Sequence, residues 1–169
     1  MIRNSLLIAM LALVLAACSD RSAPSSESGF VPSKQTPALV VETFQGGKFD
    51  LAEYRGKWVV VNFWATWCAP CLKEIPDFNA FAKSRKDVQL IGLAYEEITR
   101  EDMSAFLKDH PIDYPFAIID VYNPPEHFET PRGLPMTVLI APGGKVVKTF
   151  LGPVTSAELA EVIGAPALQ

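Results

Sequence analysis

Two cysteines stand three positions apart in Cys68-Ala69-Pro70-Cys71, with Trp67 directly ahead of them and an apolar, β-branched run before that. Thiols at i and i+3 share a helix face, and their sulfurs can close a small disulfide ring. A helix starting here would place unpaired N–H groups and a partial positive charge at Cys68, which favours its thiolate. Pro70 suits a first helical turn, where its missing N–H would have no partner anyway. Cys71 lies further along and is expected to be more buried and less acidic. The pair therefore suits thiol–disulfide exchange, with Cys68 forming a mixed disulfide and Cys71 resolving it. Two plainer uses stand beside this one. Half a zinc site would need two further ligands, and only His110 and His127 are available. A static disulfide would close so small a loop that it gains little chain entropy. Redox cycling accounts best for the pair, and no metal or cofactor is expected beyond the Cys68–Cys71 disulfide itself.

The elements that would hold these sulfurs follow from the hydrophobic pattern. Residues 58–64 form a nearly continuous apolar run, the mark of a strand covered on both faces. Cys71, Ile75, Phe78 and Ala82 recur at helical spacing and predict an amphipathic helix to about residue 86. Residues 88–94 read as a second buried strand. Thr99 and Asp102 open a capped helix that Pro111 stops, and residues 116–120 read as a third strand. Asn123-Pro124 is expected to start a brief helix. Residues 136–140 and 145–150 make a hairpin around Pro142-Gly143-Gly144, and Thr155 with Glu158 caps a final helix. Ahead of all this, residues 38–44 and 48–50 form a hairpin on Gly46-Gly47. Asp50 then caps one helical turn. The order is hairpin, βα, βα, β, hairpin, α: one α/β domain with a mixed sheet.

The chain has 169 residues, with 15 Lys and Arg against 19 Asp and Glu, a net charge of −4. That balance excludes a dedicated nucleic-acid surface. Arg3 precedes an apolar run over residues 6–17, shorter than the roughly 20 residues a spanning helix needs, so residues 1–17 read as an export signal. The run ends Leu15-Ala16-Ala17-Cys18, which resembles the lipobox of bacterial lipoproteins. On that reading Cys18 becomes the lipidated first residue and anchors the protein to a membrane; an ordinary signal with an incidental cysteine is the alternative. Serines and prolines dominate the following stretch, so residues 18–37 read as the lipidated cysteine and a flexible tether reaching about 25 Å. The domain is then 38–169.

The segment Phe63-Trp64-Ala65-Thr66-Trp67-Cys68-Ala69-Pro70-Cys71, with Pro76 and with Gly133-Leu134-Pro135-Met136-Thr137, resembles the thioredoxin superfamily, and within it the exported, membrane-attached TlpA/ResA-like branch. The resemblance covers most of residues 38–163. It implies a thioredoxin-like fold with an N-terminal β-hairpin and an inserted βα unit between residues 88 and 120. It also implies that Pro135 is a cis-proline beside the sulfurs, where a trans proline opening an edge strand is the alternative. The Leu134 backbone would then pair with a substrate segment, and Trp67 would form a flat wall next to the cysteines or else half-buried core. Thioredoxins proper carry a buried aspartate where this chain has Asn62. Glu74 matches the glutamate of the branch pattern Cys-x-x-Glu-x-Pro, and a carboxyl in apolar surroundings can shuttle protons near neutrality; a solvated first-turn glutamate is the plainer alternative. Tyr95, Glu96 and Glu97 end a strand where ligand sites gather, but an exposed loop is the expectation there.

Neither Ala69 nor Pro70 has a side-chain donor to stabilise the Cys68 thiolate, which argues for a reducing role. The expected partners are disulfide-containing exported proteins, with apocytochrome c a frequent client in this branch, and an upstream thiol reductant in the membrane. The expected location is the cell envelope, with the domain in the periplasm or otherwise outside the cytoplasmic membrane. A peroxiredoxin-like peroxidase is one rival, weakened because Val61 and Ala65 stand, seven and three places before Cys68, where that chemistry needs a proline and a threonine. A non-enzymatic copper carrier is the other, though it wants a wider cysteine spacing and a placed histidine.

Overall fold

The computed structural model describes residues 36–164. The export signal expected over 1–17, Cys18 and nearly all of the 18–37 tether lie outside the described residues. The elements follow in the order β1 (Val40–Glu42), β2 (Lys48–Asp50), a 3-10 turn (Leu51–Tyr54), β3 (Trp58–Trp64), α1 (Ala69–Ser84), β4 (Val88–Ala94), α2 (Arg100–Phe106), β5 (Phe116–Ile118), β6 (Met136–Ile140), β7 (Val146–Leu151) and α3 (Ser156–Ile163).

A five-stranded mixed sheet, ordered β5-β4-β3-β6-β7, forms the centre. β3, β4 and β5 run parallel, with Asn62 opposite Gly92 and Gly92 opposite Phe116. β6 is antiparallel to β3 and β7 to β6. β3 occupies the middle because six of its seven residues are buried, and only an interior strand covered on both sides suits such a run.

Side-chain alternation divides β3 between two cores. Val59, Val61 and Phe63 pack with Leu39, Phe49 and Leu51 of the hairpin region and with Phe128 of the 119–135 segment. Val60 and Trp64 face the other way, toward Phe78 and Phe81 of α1, Leu159 of α3 and Met103 of α2. The hairpin thus covers one face of the sheet, and the helices cover the other.

The hairpin β1–β2 turns at Gly46 and Gly47, both at positive φ, a backbone conformation that side-chain-bearing residues rarely adopt. Beyond it, the Phe44 N–H donates to the Phe116 carbonyl, and Gln45 bonds the backbone of Tyr114 and Phe116. These bonds run along the outer side of β5. Arg100 donates to the Phe44 carbonyl and lies over its ring, fixing the start of α2 to the hairpin.

Two expectations are corrected. No helix forms at Asn123-Pro124: residues 119–135 are turns and irregular chain. Pro125 steers the residue before it, Pro124, away from helical backbone geometry, and the segment is held instead by Phe128, whose ring lies 6.0 Å from that of Phe63. The third strand stops at Ile118 rather than at residue 120. The turn after β2 is capped by the Asp50 carboxylate accepting from the Ala52 N–H. The cap at Thr155 is reciprocal with Glu158, as its spacing indicates.

At the centre of the helix-covered face Gly92 leaves room that a side chain would take. A Cβ built there would lie 3.0 Å from the Phe116 Cβ and the Trp64 Nε1, and 3.2 Å from Tyr114 Cε2. Gly92→Ala is therefore expected to destabilise the domain by about 1–3 kcal/mol through overpacking, read as a lower urea midpoint at unchanged slope.

Candidate active site

The chain leaves β3 at Trp64, crosses Ala65, Thr66 and Trp67, and enters α1 with Cys68 as the N-cap. Pro70 sits in the first turn, and the Cys71 N–H donates to Cys68 Sγ at 3.4 Å. Cys68 and Cys71 are joined in a disulfide, with Cα atoms 5.2 Å apart. Both sulfurs lie at the positive end of the helix dipole, where a thiolate released from this bond is stabilised. The expected contrast in burial is small: Cys68 is 4% exposed and Cys71 1%. Trp67, by contrast, is 69% exposed, so it is neither core nor half-buried but a free indole next to the disulfide. Pro76 lies inside α1 without ending it.

The crossing from strand to helix is held from the side. Glu96, just beyond β4, accepts from the Thr66 N–H at 2.6 Å and from the Thr66 hydroxyl at 2.8 Å. Glu96 and Tyr95 are half-buried, not part of an exposed loop, while Glu97 is exposed and receives the Tyr122 hydroxyl. The sequence offered no sign of the Glu96–Thr66 link, because the two residues are thirty positions apart and either type is ordinary in a loop.

The peptide bond between Leu134 and Pro135 is cis. Pro135 is buried and Leu134 half-buried, directly ahead of β6. Leu134 packs against the cluster that contains Cys68 and Cys71, which brings the two motifs together in space.

Glu74, one turn beyond Cys71 on α1, is 6% exposed. Its Oε1 accepts from the Val154 N–H at 2.6 Å, while its Oε2 has no partner. Burial raises its pKa from 4.5 to about 7, opposed by the Val154 N–H and the nearby Asn62 amide and reinforced by the nearby Asp77. The solvated first-turn glutamate is thus excluded. Asn62 is also buried, and its amide donates to Thr137 Oγ1 at 3.0 Å. The Val154 contact was out of reach from the sequence, since it joins residues eighty positions apart through a main-chain group.

His110 stacks on Phe106, 4.6 Å between ring centroids, and His127 is exposed. Among the described residues no three His, Cys, Asp or Glu side chains are grouped to hold a metal ion, and no helix is long and apolar enough to cross a membrane. Val61 and Ala65 are fully buried and carry no polar side-chain atom.

A thioredoxin-like fold with its Cys-x-x-Cys disulfide at the mouth of α1 and a cis-proline ahead of β6 defines a thiol-disulfide oxidoreductase. The chain belongs to the AhpC/TSA family, whose model matches residues 32–150. It is 33% identical over 147 residues to the thiol-disulfide oxidoreductase ResA of Bacillus cereus, covering 82% of this chain and 80% of that protein. Among solved structures it resembles a thiol:disulfide interchange protein of the thioredoxin family from Chlorobium tepidum (TM-score 0.65, 27% identity, 78% of this chain and 94% of that one). It also resembles the pneumococcal exposed lipoprotein thioredoxin of Streptococcus pneumoniae (TM-score 0.63, 25% identity, 75% and 97%).

Two outcomes follow from these contacts. An unfolded carboxyl releases its proton near 4.5 and the folded Glu74 only near 7. The unfolded chain therefore binds fewer protons across that interval, and the oxidised protein loses stability as pH rises through it, with no further loss above. Glu74→Gln is expected to flatten this part of a melting-temperature profile. Glu96→Ala leaves the Thr66 N–H without its acceptor and is expected to cost about 1–3 kcal/mol, measured by urea denaturation, and to slow disulfide exchange.

Proposed function

We propose that the protein is exported, anchored through a lipidated Cys18, and reduces disulfides of proteins outside the cytoplasmic membrane. The observation that carries the chemistry is the Cys68–Cys71 disulfide at a helix N-terminus with a buried carboxyl one turn further on. In the reduced protein the Cys68 thiolate attacks one sulfur of a client disulfide. The client S–S bond breaks, its second sulfur leaves as a thiolate, and a mixed disulfide forms at Cys68. The Cys71 thiol then gives its proton to the Glu74 carboxylate and attacks Cys68 Sγ. The client's first sulfur departs, both client thiolates gain protons, and the domain is left oxidised. Two electrons pass to the client. An upstream membrane thiol carrier returns the domain to the dithiol form.

With its pKa at about 7, Glu74 is divided between acid and carboxylate at neutral pH, the condition for moving a proton in either direction. Trp67 and the Leu134-Pro135 segment supply the surface against which a client strand would lie. Ala69 and Pro70 give the Cys68 thiolate no side-chain donor, which supports the reducing direction. The apolar run over 6–17 and the small residues ahead of Cys18 support export and lipidation, and one structural relative is itself described as an exposed lipoprotein. Apocytochrome c, with its pair of haem-attachment thiols, is the client class to try first.

The test is capture. Cys71→Ser is expected to leave client proteins covalently held at Cys68, released by added thiol, whereas Cys68→Ser holds none. Equal capture by both variants rejects the division of roles. A redox titration at the oxidising end of the thioredoxin-like range would reject the reducing direction. Glu74→Gln is expected to remove the inflection near pH 7 from the rate profile of disulfide exchange, and a superimposable profile would reject the proton role.

A further inference from the structure

Three buried side-chain polar atoms among the described residues have no hydrogen-bond partner: Glu74 Oε2, the Tyr114 hydroxyl and Trp64 Nε1. Isolated orphans of this kind are costly, about 1–3 kcal/mol each, and three of them in one small domain call for a shared explanation. They share a place. Tyr114 packs edge-on against Phe78, the next turn of α1 after Glu74. Its ring edge and the Trp64 Nε1 both close on Gly92, at 3.2 and 3.0 Å from where a Cβ would stand. Asn62 sits opposite Gly92 in the sheet and bears on the Glu74 carboxyl. The Tyr114 hydroxyl is held un-ionised far above its usual range by burial and by the neighbouring Glu74 charge.

We propose that Tyr114 is a positioning residue for Glu74: an ordered water accepts from the Trp64 N–H and joins the Tyr114 hydroxyl to Glu74 Oε2 in one buried hydrogen-bonded unit. Three partners are the usual complement of an internal water. Two donors and a carboxylate acceptor also match in type. The proposal rests on the reading of Glu74 as the proton group of the exchange reaction, and adds to it what sets that group's protonation. A donor delivered through the water favours the carboxylate, so Tyr114 works with the Val154 N–H against the burial that favours the acid.

The other groups bearing on Glu74 are few. Asp77 on α1 disfavours its ionisation, and Asn62 on β3 and Val154 ahead of α3 favour it. β4 presents Gly92 and β6 presents Thr137, neither of them ionisable. Cys68 and Cys71 lie at the start of the same helix and do not titrate while joined.

The test is Tyr114→Phe in the oxidised full chain, a change that keeps the ring and removes one oxygen. Carbon-13 NMR of the Glu74 carboxyl is expected to show its titration midpoint raised by about half to one pH unit, the worth of one lost hydrogen bond. The melting temperature at pH 8, where the carboxylate is charged, is expected to fall. An unmoved or lowered midpoint overturns the proposal. So does a higher melting temperature, which is what deletion of a truly unpaired hydroxyl from an apolar core produces. Glu74→Gln separates the two readings. A rate profile indifferent to Glu74→Gln removes the proton role while a Tyr114→Phe shift in the Glu74 titration leaves the buried unit standing. A rate profile that responds to Glu74→Gln, with no shift from Tyr114→Phe, removes the buried unit alone.

Discussion

A chain that emerges from the middle of a sheet and must begin a helix within five residues has little freedom in where it puts the intervening side chains. That short crossing, from Trp64 to Ala69, is the constraint on which this site depends. Its start is fixed because β3 is buried on both faces. Its end is fixed because α1 lies on the sheet through Ile75, Phe78 and Phe81. Between the two, Glu96 grips Thr66 through both backbone and hydroxyl. Cys68 therefore stands at the helix mouth by default, at the positive end of the helix dipole. The chemistry of the sulfur is a by-product of how tightly the strand and the helix are joined.

The second ingredient is polar matter placed in the wrong solvent. The helix-covered face of the sheet is largely apolar, but Asn62, Thr137 and Glu74 are polar side chains buried in it. Asn62 and Thr137 satisfy each other. Glu74 receives one strong donor and is left short of a second. An arrangement that fully solvated the carboxyl would return its pKa to the ordinary acidic range, and one that gave it nothing would keep it protonated throughout. Partial satisfaction holds it near neutrality, where a proton can be taken and returned.

Much of this was legible in the residues alone. The two long buried strands, the amphipathic helix behind the cysteines and the capping box at Thr155 and Glu158 are local patterns, and each forms where its spacing places it. So does the sulfur pair, whose spacing is itself local. What escaped were relations between distant positions. Val154 reaches Glu74 with a main-chain N–H, which no residue type reports. Tyr114 reads as an aromatic ahead of a short strand, with nothing to say that it lies beside a carboxyl forty residues earlier. The Asn123-Pro124 helix failed for a different reason: a local signal for starting a helix was outweighed by a second proline and by the anchorage of Phe128 in the core.

An open sheet has two borders, and a border strand offers a row of unused main-chain donors and acceptors to any other strand that drifts by. Here one border, β5, is only three residues long, and the Phe44 amide and the Gln45 side chain already occupy its outward groups. The N-terminal hairpin therefore acts as a bung as well as a cover, stopping copies from zipping together edge to edge. That protection bears on solubility as much as on shape.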